Sequence, residues 1–84
     1  MRITLKLFAS LSDYLPPAAH ATSSLPLDLP AGATVAEVIA SRNLPERSVH
    51  LVLVNGVYIP PDQRPARVMA EGEELAIWPP IAGG

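Results

Sequence analysis

Proline constrains this chain more than any other residue. Ten prolines fall within 84 residues, at positions 16, 17, 26, 30, 45, 60, 61, 65, 79 and 80. Each one fixes φ, removes a backbone donor and disfavours helix in the residue before it. Helices must fit between these points, and any strand that contains proline is confined to a sheet edge.

The segments between the prolines read as short elements. Ile3, Leu5 and Leu7 alternate with Arg2, Thr4 and Lys6, the period of a strand. Phe8, Leu11 and Leu15 then fall at helical spacing, enough for one or two turns before Pro16 and Pro17. Residues 18–24, AAHATSS, read as loop. Leu25, Leu27 and Leu29 alternate with Pro26, Asp28 and Pro30, which predicts an edge strand. The clearest helix lies in AGATVAEVIASRNLP. Thr34 and Glu37 have the spacing of a capping box, Val35, Val38 and Ile39 share a face, and Asn43 with Pro45 closes the element. HLVLV, 50–54, reads as a strand, and Asn55-Gly56 signals a tight hairpin into VYIP. Residues 60–70 read as a Pro- and Arg-rich loop with a short turn. Glu71-Gly72 makes a turn, and EELAIW returns as the last strand.

This order predicts an α+β fold with a mixed four- to five-stranded sheet and one main helix across one face, the β-grasp arrangement. Residues 1–80 form the domain. A single helix covers only one face, yet the strands 50–54 and 73–78 are apolar at both parities. The second face therefore calls for a partner protein, with loops as a further source of cover; Val52, Val54 and Trp78 are the expected contacts there, and Leu51 with Leu53 is the alternative set.

Composition excludes several functions. A chain this short buries only about 60% of its unfolded surface, yet 49% of its residues are hydrophobic. Some apolar surface should stay outside, as at a contact site. Net charge is −2 and no basic run occurs, so nucleic acid is not an expected partner. The absence of cysteine excludes thiolate chemistry and disulfides. His20 and His50 have no ligand-spaced companion, and Glu71, Glu73 and Glu74 read as a solvated acidic turn. No phosphate-cradling glycine loop or Ser-His-Asp pattern is present. No apolar run is long enough for a membrane span, and a soluble, cytoplasmic chain without an active site or bound cofactor is expected.

What remains is the ending, IWPPIAGG. Pro79 and Pro80 hold the chain extended as it leaves the last strand. Residues 81–84 are expected to form a flexible tail that reaches about 13 Å. Gly83 and Gly84 lack a Cβ, so the tip can enter a channel too narrow for other residues. Pro79, Pro80, Ile81, Ala82 and Gly83 then read as the partner-binding tail, and the carboxylate of Gly84 as its reactive group. A carboxylate must be activated before it reacts. A partner that uses ATP would adenylate it, making a mixed anhydride open to a sulfur or amine nucleophile.

At these residues the chain resembles the ubiquitin-like sulfur carriers, and within them the small subunit of molybdopterin synthase. The resemblance rests on Gly83-Gly84 and the longer PPIAGG tail, supported by LFASL (7–11), VLVNG (52–56) and EGEELAIWPP (71–80). The chain departs from that branch at Ser12-Asp13, where Arg-Glu is common, and at Glu73, where Asp commonly follows the glycine. The resemblance implies a Gly84 acyl-adenylate and then a thiocarboxylate. It also implies an E1-like adenylating enzyme and an acceptor such as a molybdopterin synthase large subunit. Two further readings share the same terminus: a thiamine-type sulfur carrier, and a protein modifier conjugated through Gly84 to lysines.

Overall fold

The two ends of the chain meet in the middle of one sheet. A computed structural model describes residues 1–80. Its strands are β1 (Arg2–Leu7), β2 (Ser24–Asp28), β3 (Leu51–Val54), β4 (Val57–Tyr58) and β5 (Glu74–Trp78), in the order β2-β1-β5-β3-β4. β1 and β5 pair in parallel and the other neighbours are antiparallel, so the sheet is mixed and five-stranded. The expected tail, 81–84, lies outside the described residues.

One face of this sheet makes the core. Ile3, Leu5 and Leu7 of β1, Leu75 and Ile77 of β5, and Val52 and Val54 of β3 are all at most 2% exposed. The helix α1 (Val35–Ser41) adds Val35 and Val38 to the same cluster. Leu11, from a 3-10 helix over Ala9–Tyr14, joins them, as does Leu15. The Phe8–Leu15 segment is thus helical as predicted, though wound as 3-10. The expected loop at 18–24 holds a further short turn, Pro17–Ala19, whose Ala19 is buried.

Local chemistry accounts for where the elements start and stop. At the start of α1, Glu37 N donates to Thr34 Oγ1 at 3.2 Å and Thr34 N to Glu37 Oε1 at 2.9 Å. Such a cap contributes about 1 kcal/mol. Asn43, at φ 57°, ends the helix in the left-handed region, where asparagine is favoured. Asn55 and Gly56, with φ of 48° and 82°, make the hairpin turn that joins β3 to β4, both residues in the left-handed region that a type I′ turn demands. Asn55 also accepts from Glu74 N through Oδ1 at 2.8 Å, tying the turn to the first residue of β5. β2 is an edge strand, and Pro26 within it is opposite Thr4, as its prolines required.

The 60–70 segment is more than a loop. Val35 N donates to Arg67 O at 2.9 Å and Ala36 N to Arg64 O at 3.1 Å. These are first-turn amides with no partner inside the helix, so the segment completes the helix N-terminus. Met69 N bonds to Ala33 O at 2.8 Å and its side chain is buried. Arg67 and Glu73 clamp the end of this segment: Arg67 Nη2 donates to Glu73 Oε2 at 2.6 Å, and Ala70 N to Glu73 Oε1 at 2.7 Å. Among the described residues no helix is long and apolar enough to cross a membrane.

The hydrogen bond from Arg67, with that from the Ala70 amide, holds the Glu73 carboxyl below its ordinary value despite partial burial. A depressed folded-state pKa gives stability that is complete above the unfolded value and is lost as pH falls through the folded one. Wild type should therefore melt above Glu73→Gln at neutral pH. That gap should close as pH drops below about 4.5, as thermal melts across pH will show. A gap that stays constant down to pH 2 would contradict the clamp.

Candidate surface for a carrier or docking role

Among the described residues, α1 and the 3-10 helix Ala9–Tyr14 send their buried side chains into the core on one face, and no helix contributes such a residue to the second face. Side chains alternate along each strand, so burial of Ile3, Leu5, Val52, Val54, Leu75 and Ile77 sends their neighbours to the opposite side. The register then aligns those neighbours in rows. Lys6 is opposite Ala76, Ala76 opposite Leu53, and Leu53 opposite Tyr58. In the next row Leu51 is opposite Trp78.

This corrects one expectation. Val52 and Val54 are buried, at 0% and 2%, and belong to the core beneath α1. Leu51 and Leu53 take the outer positions with Trp78. The valine and leucine sets were both apolar, so composition could not choose between them. The helix decides, because only one parity can pack beneath it. Tyr58 and Phe8 were also missed. A two-residue turn at Asn55-Gly56 places Tyr58 across from Leu53, so hairpin register could have found Tyr58. Phe8 carried no comparable signal.

The outer face is divided. Leu51 and Tyr58 are exposed at 37% and 49%, beside the half-buried Leu53 and Trp78. Ala76, between Leu53 and Lys6 in the register, is only 4% exposed, so this part of the outer face is already covered within the chain. Phe8 stacks on Trp78 with ring centroids 4.3 Å apart and planes 11° apart. The stack braces Trp78 at the point where the chain leaves β5 through Pro79, half-buried, and Pro80, exposed. Ile81, Ala82, Gly83 and Gly84 lie outside the described residues.

The other half of the face is charged. Lys6 Nζ sits 3.1 Å from Glu74 Oε1, and Arg2 grips Asp28 through Nε–Oδ1 at 2.9 Å and Nη2–Oδ2 at 3.1 Å. The hydrogen bond from Arg2, then its charge, lowers the Asp28 carboxyl. These pairs are open to water and add little stability. Their arrangement instead gives the face an apolar end and a polar rim, the layout of a protein contact surface. No group of acidic or histidine side chains able to hold a metal ion occurs among the described residues.

Comparison with known proteins agrees with this architecture. The model of the ThiS family matches residues 5–84, whereas a search of curated proteins finds no match. Among solved structures, the chain is similar to SAMP1 from Haloferax volcanii, at 24% identity over 100% of both chains with a TM-score of 0.69. It is also similar to a Pyrococcus furiosus protein described as a molybdopterin converting factor, subunit 1. That match has 19% identity over 96% of this chain and 99% of the other, with a TM-score of 0.70. A further Haloferax volcanii protein, solved in solution, matches at 24% identity over 100% of this chain and 87% of its own, with a TM-score of 0.76. These structural likenesses establish the β-grasp fold.

The two parities of β3 should respond differently to the same change. Leu51→Ser, on the open face, should alter stability by less than about 1 kcal/mol. Val52→Ser buries a hydroxyl and opens a cavity, and should cost about 2–4 kcal/mol. Urea unfolding of both variants measures this, and equal costs would reverse the assignment of the faces.

Proposed function

From the premise that this chain belongs to the ThiS family, we propose that it is a sulfur carrier whose Gly84 carboxylate is the reactive group. A partner adenylating enzyme would join that carboxylate to the α-phosphorus of ATP and expel pyrophosphate. A sulfide-level nucleophile then attacks the acyl carbon, AMP leaves, and a thiocarboxylate remains. An acceptor of the molybdopterin synthase large-subunit kind would take the sulfur for molybdopterin biosynthesis. The longer PPIAGG ending supports that pathway over a thiamine-type one.

One observation carries this reading. The apolar end of the outer face lies beside the point where Pro79 and Pro80 lead the chain off β5. A protein docked on Leu51, Leu53, Tyr58 and Trp78 is therefore positioned to receive the terminus in its own active site. The carrier itself contributes position, through a rigid platform and a narrow tip. Placement of bound reactants supplies a large part of their rate gain, and a misplacement of about 1 Å can cost roughly 100-fold.

The test uses the full chain with Mg-ATP and a candidate adenylating enzyme, with pyrophosphate release and intact mass as readouts. Wild type should gain an adenylate and, with a sulfur donor, exchange one oxygen for sulfur. Gly83→Ala, or one residue added after Gly84, should leave melting unchanged and cut adenylation by about 100-fold. Leu51→Arg should weaken capture by the enzyme while the fold persists. Normal sulfur loading of an extended chain, with the extension still attached, would overturn the proposal. An isopeptide bond from Gly84 to lysines of other proteins, without thiocarboxylate, would reassign the chain as a modifier. Lys6 is the only lysine of this chain, so any polymer built on a lysine would have to pass through the outer face.

A further inference from the structure

On the α1 side of the sheet lies a groove of about 490 Å³. Ile39 and Ala40 of α1, Leu44 after it, Val49 before β3 and Pro61 after β4 form its walls. Arg64 lines it as well. That side chain belongs to a residue only 9% exposed. Its Nε donates to Ile59 O at 3.0 Å and its Nη2 to His50 O at 3.3 Å. A guanidinium has five N–H donors, so these two bonds leave donors for another acceptor.

Arg64 also lacks a carboxylate partner among the described residues. Arg2, Lys6 and Arg67 each pair with a carboxylate there, whereas Arg42, Arg47 and Arg64 pair with none, and of these three only Arg64 is buried. Glu46 lines the same groove yet lies beyond ion-pair distance of it. A buried cation without a counter-charge is costly, and an apolar surround strengthens any pair it does make. Guanidinium matches carboxylate in shape, through two parallel hydrogen bonds. The groove volume falls within the range of sites that enclose small ligands or a few side chains.

We propose that this groove is a docking site for a peptide segment of a partner protein, one that carries a carboxylate side chain beside branched apolar residues. The carboxylate pairs with Arg64, and the apolar side chains lie against Ile39, Leu44 and Val49. The outer sheet face is on the other side of the sheet, so both surfaces can be engaged at once.

The probe is the peptide acetyl-Leu-Leu-Asp-Leu-amide, titrated into the amide-labelled full chain by NMR, with the Asn counterpart as control. Saturable shifts are expected at Ala40, Leu44 and Val49 and at the Arg64 Nε proton. Affinity for the Asn peptide should be at least about tenfold weaker, as loss of a charged hydrogen bond implies. Arg64 also holds the backbone at His50 and Ile59, so Ala40→Glu is the better variant. Ala40 is an exposed helical position, and a carboxylate there competes for the groove. Binding should fall about tenfold with melting unchanged. Equal binding of both peptides, shifts confined to Leu51 and Tyr58, or no shifts at millimolar peptide would overturn the proposal. So would shifts at the groove on deletion of residues 81–84 without peptide, which would assign it to the chain's own terminus.

Discussion

The parallel pairing of β1 with β5 is the interaction on which the rest of the structure depends. It joins Thr4–Leu7 to Glu74–Ile77, segments about 70 residues apart in the chain, at the centre of the sheet. Pairing of such distant segments pays its loop-closure entropy before any contact rewards it. What rewards it here is the row of Leu5, Leu7, Leu75 and Ile77, all 0% exposed. β2 and β3 then add to the two sides of an existing pair, and α1 closes over the row. With β5 central, Trp78 runs into Pro79 and Pro80 beside apolar side chains rather than at a polar edge. That placement supports the proposed carrier role.

The same pairing separates two surfaces by parity. Odd-numbered residues of β1 and β5 and even-numbered ones of β3 go beneath the helix, and their neighbours face out. Ala76 and Leu53 are side by side because Val54 pairs across from Leu75. The outer face thus inherits its apolar character from strands that had to be apolar on the inside, with extra leucine and aromatic residues added. Lys6, Glu74, Arg2 and Asp28 limit that character to one end. A face that was apolar throughout would favour unspecific association; a charged border allows choice among partners.

The helix depends on the segment after β4. Its capping box satisfies the amides of Thr34 and Glu37, while the carbonyls of Arg67 and Arg64 take the two between them, Val35 and Ala36. A seven-residue helix is too short to persist alone, so these bonds and the buried Val35 and Val38 hold it in place. Arg64 links that role to the groove, because its backbone caps the helix while its guanidinium spans Ile59 and His50.

Much of this was readable in the sequence because it is local. Proline positions set where helices could lie and marked β2 as an edge. Thr34 and Glu37 placed the helix start, and Asn55-Gly56 placed the hairpin, since caps and tight turns involve neighbours in the chain. The need for a second covered face was also visible, as both parities of β3 and β5 are apolar. The sequence also supplied the Gly-Gly ending, through residues that lie beyond those the structure describes. Which parity faces out could be decided only in three dimensions, because Val52 and Leu53 offer nearly the same hydrophobicity and only packing under α1 distinguishes them. The same holds for Phe8 on Trp78, for Tyr58 on the outer face, and for Arg64 beside the groove. Each is a contact between segments far apart in the chain, and no periodicity within one segment encodes it.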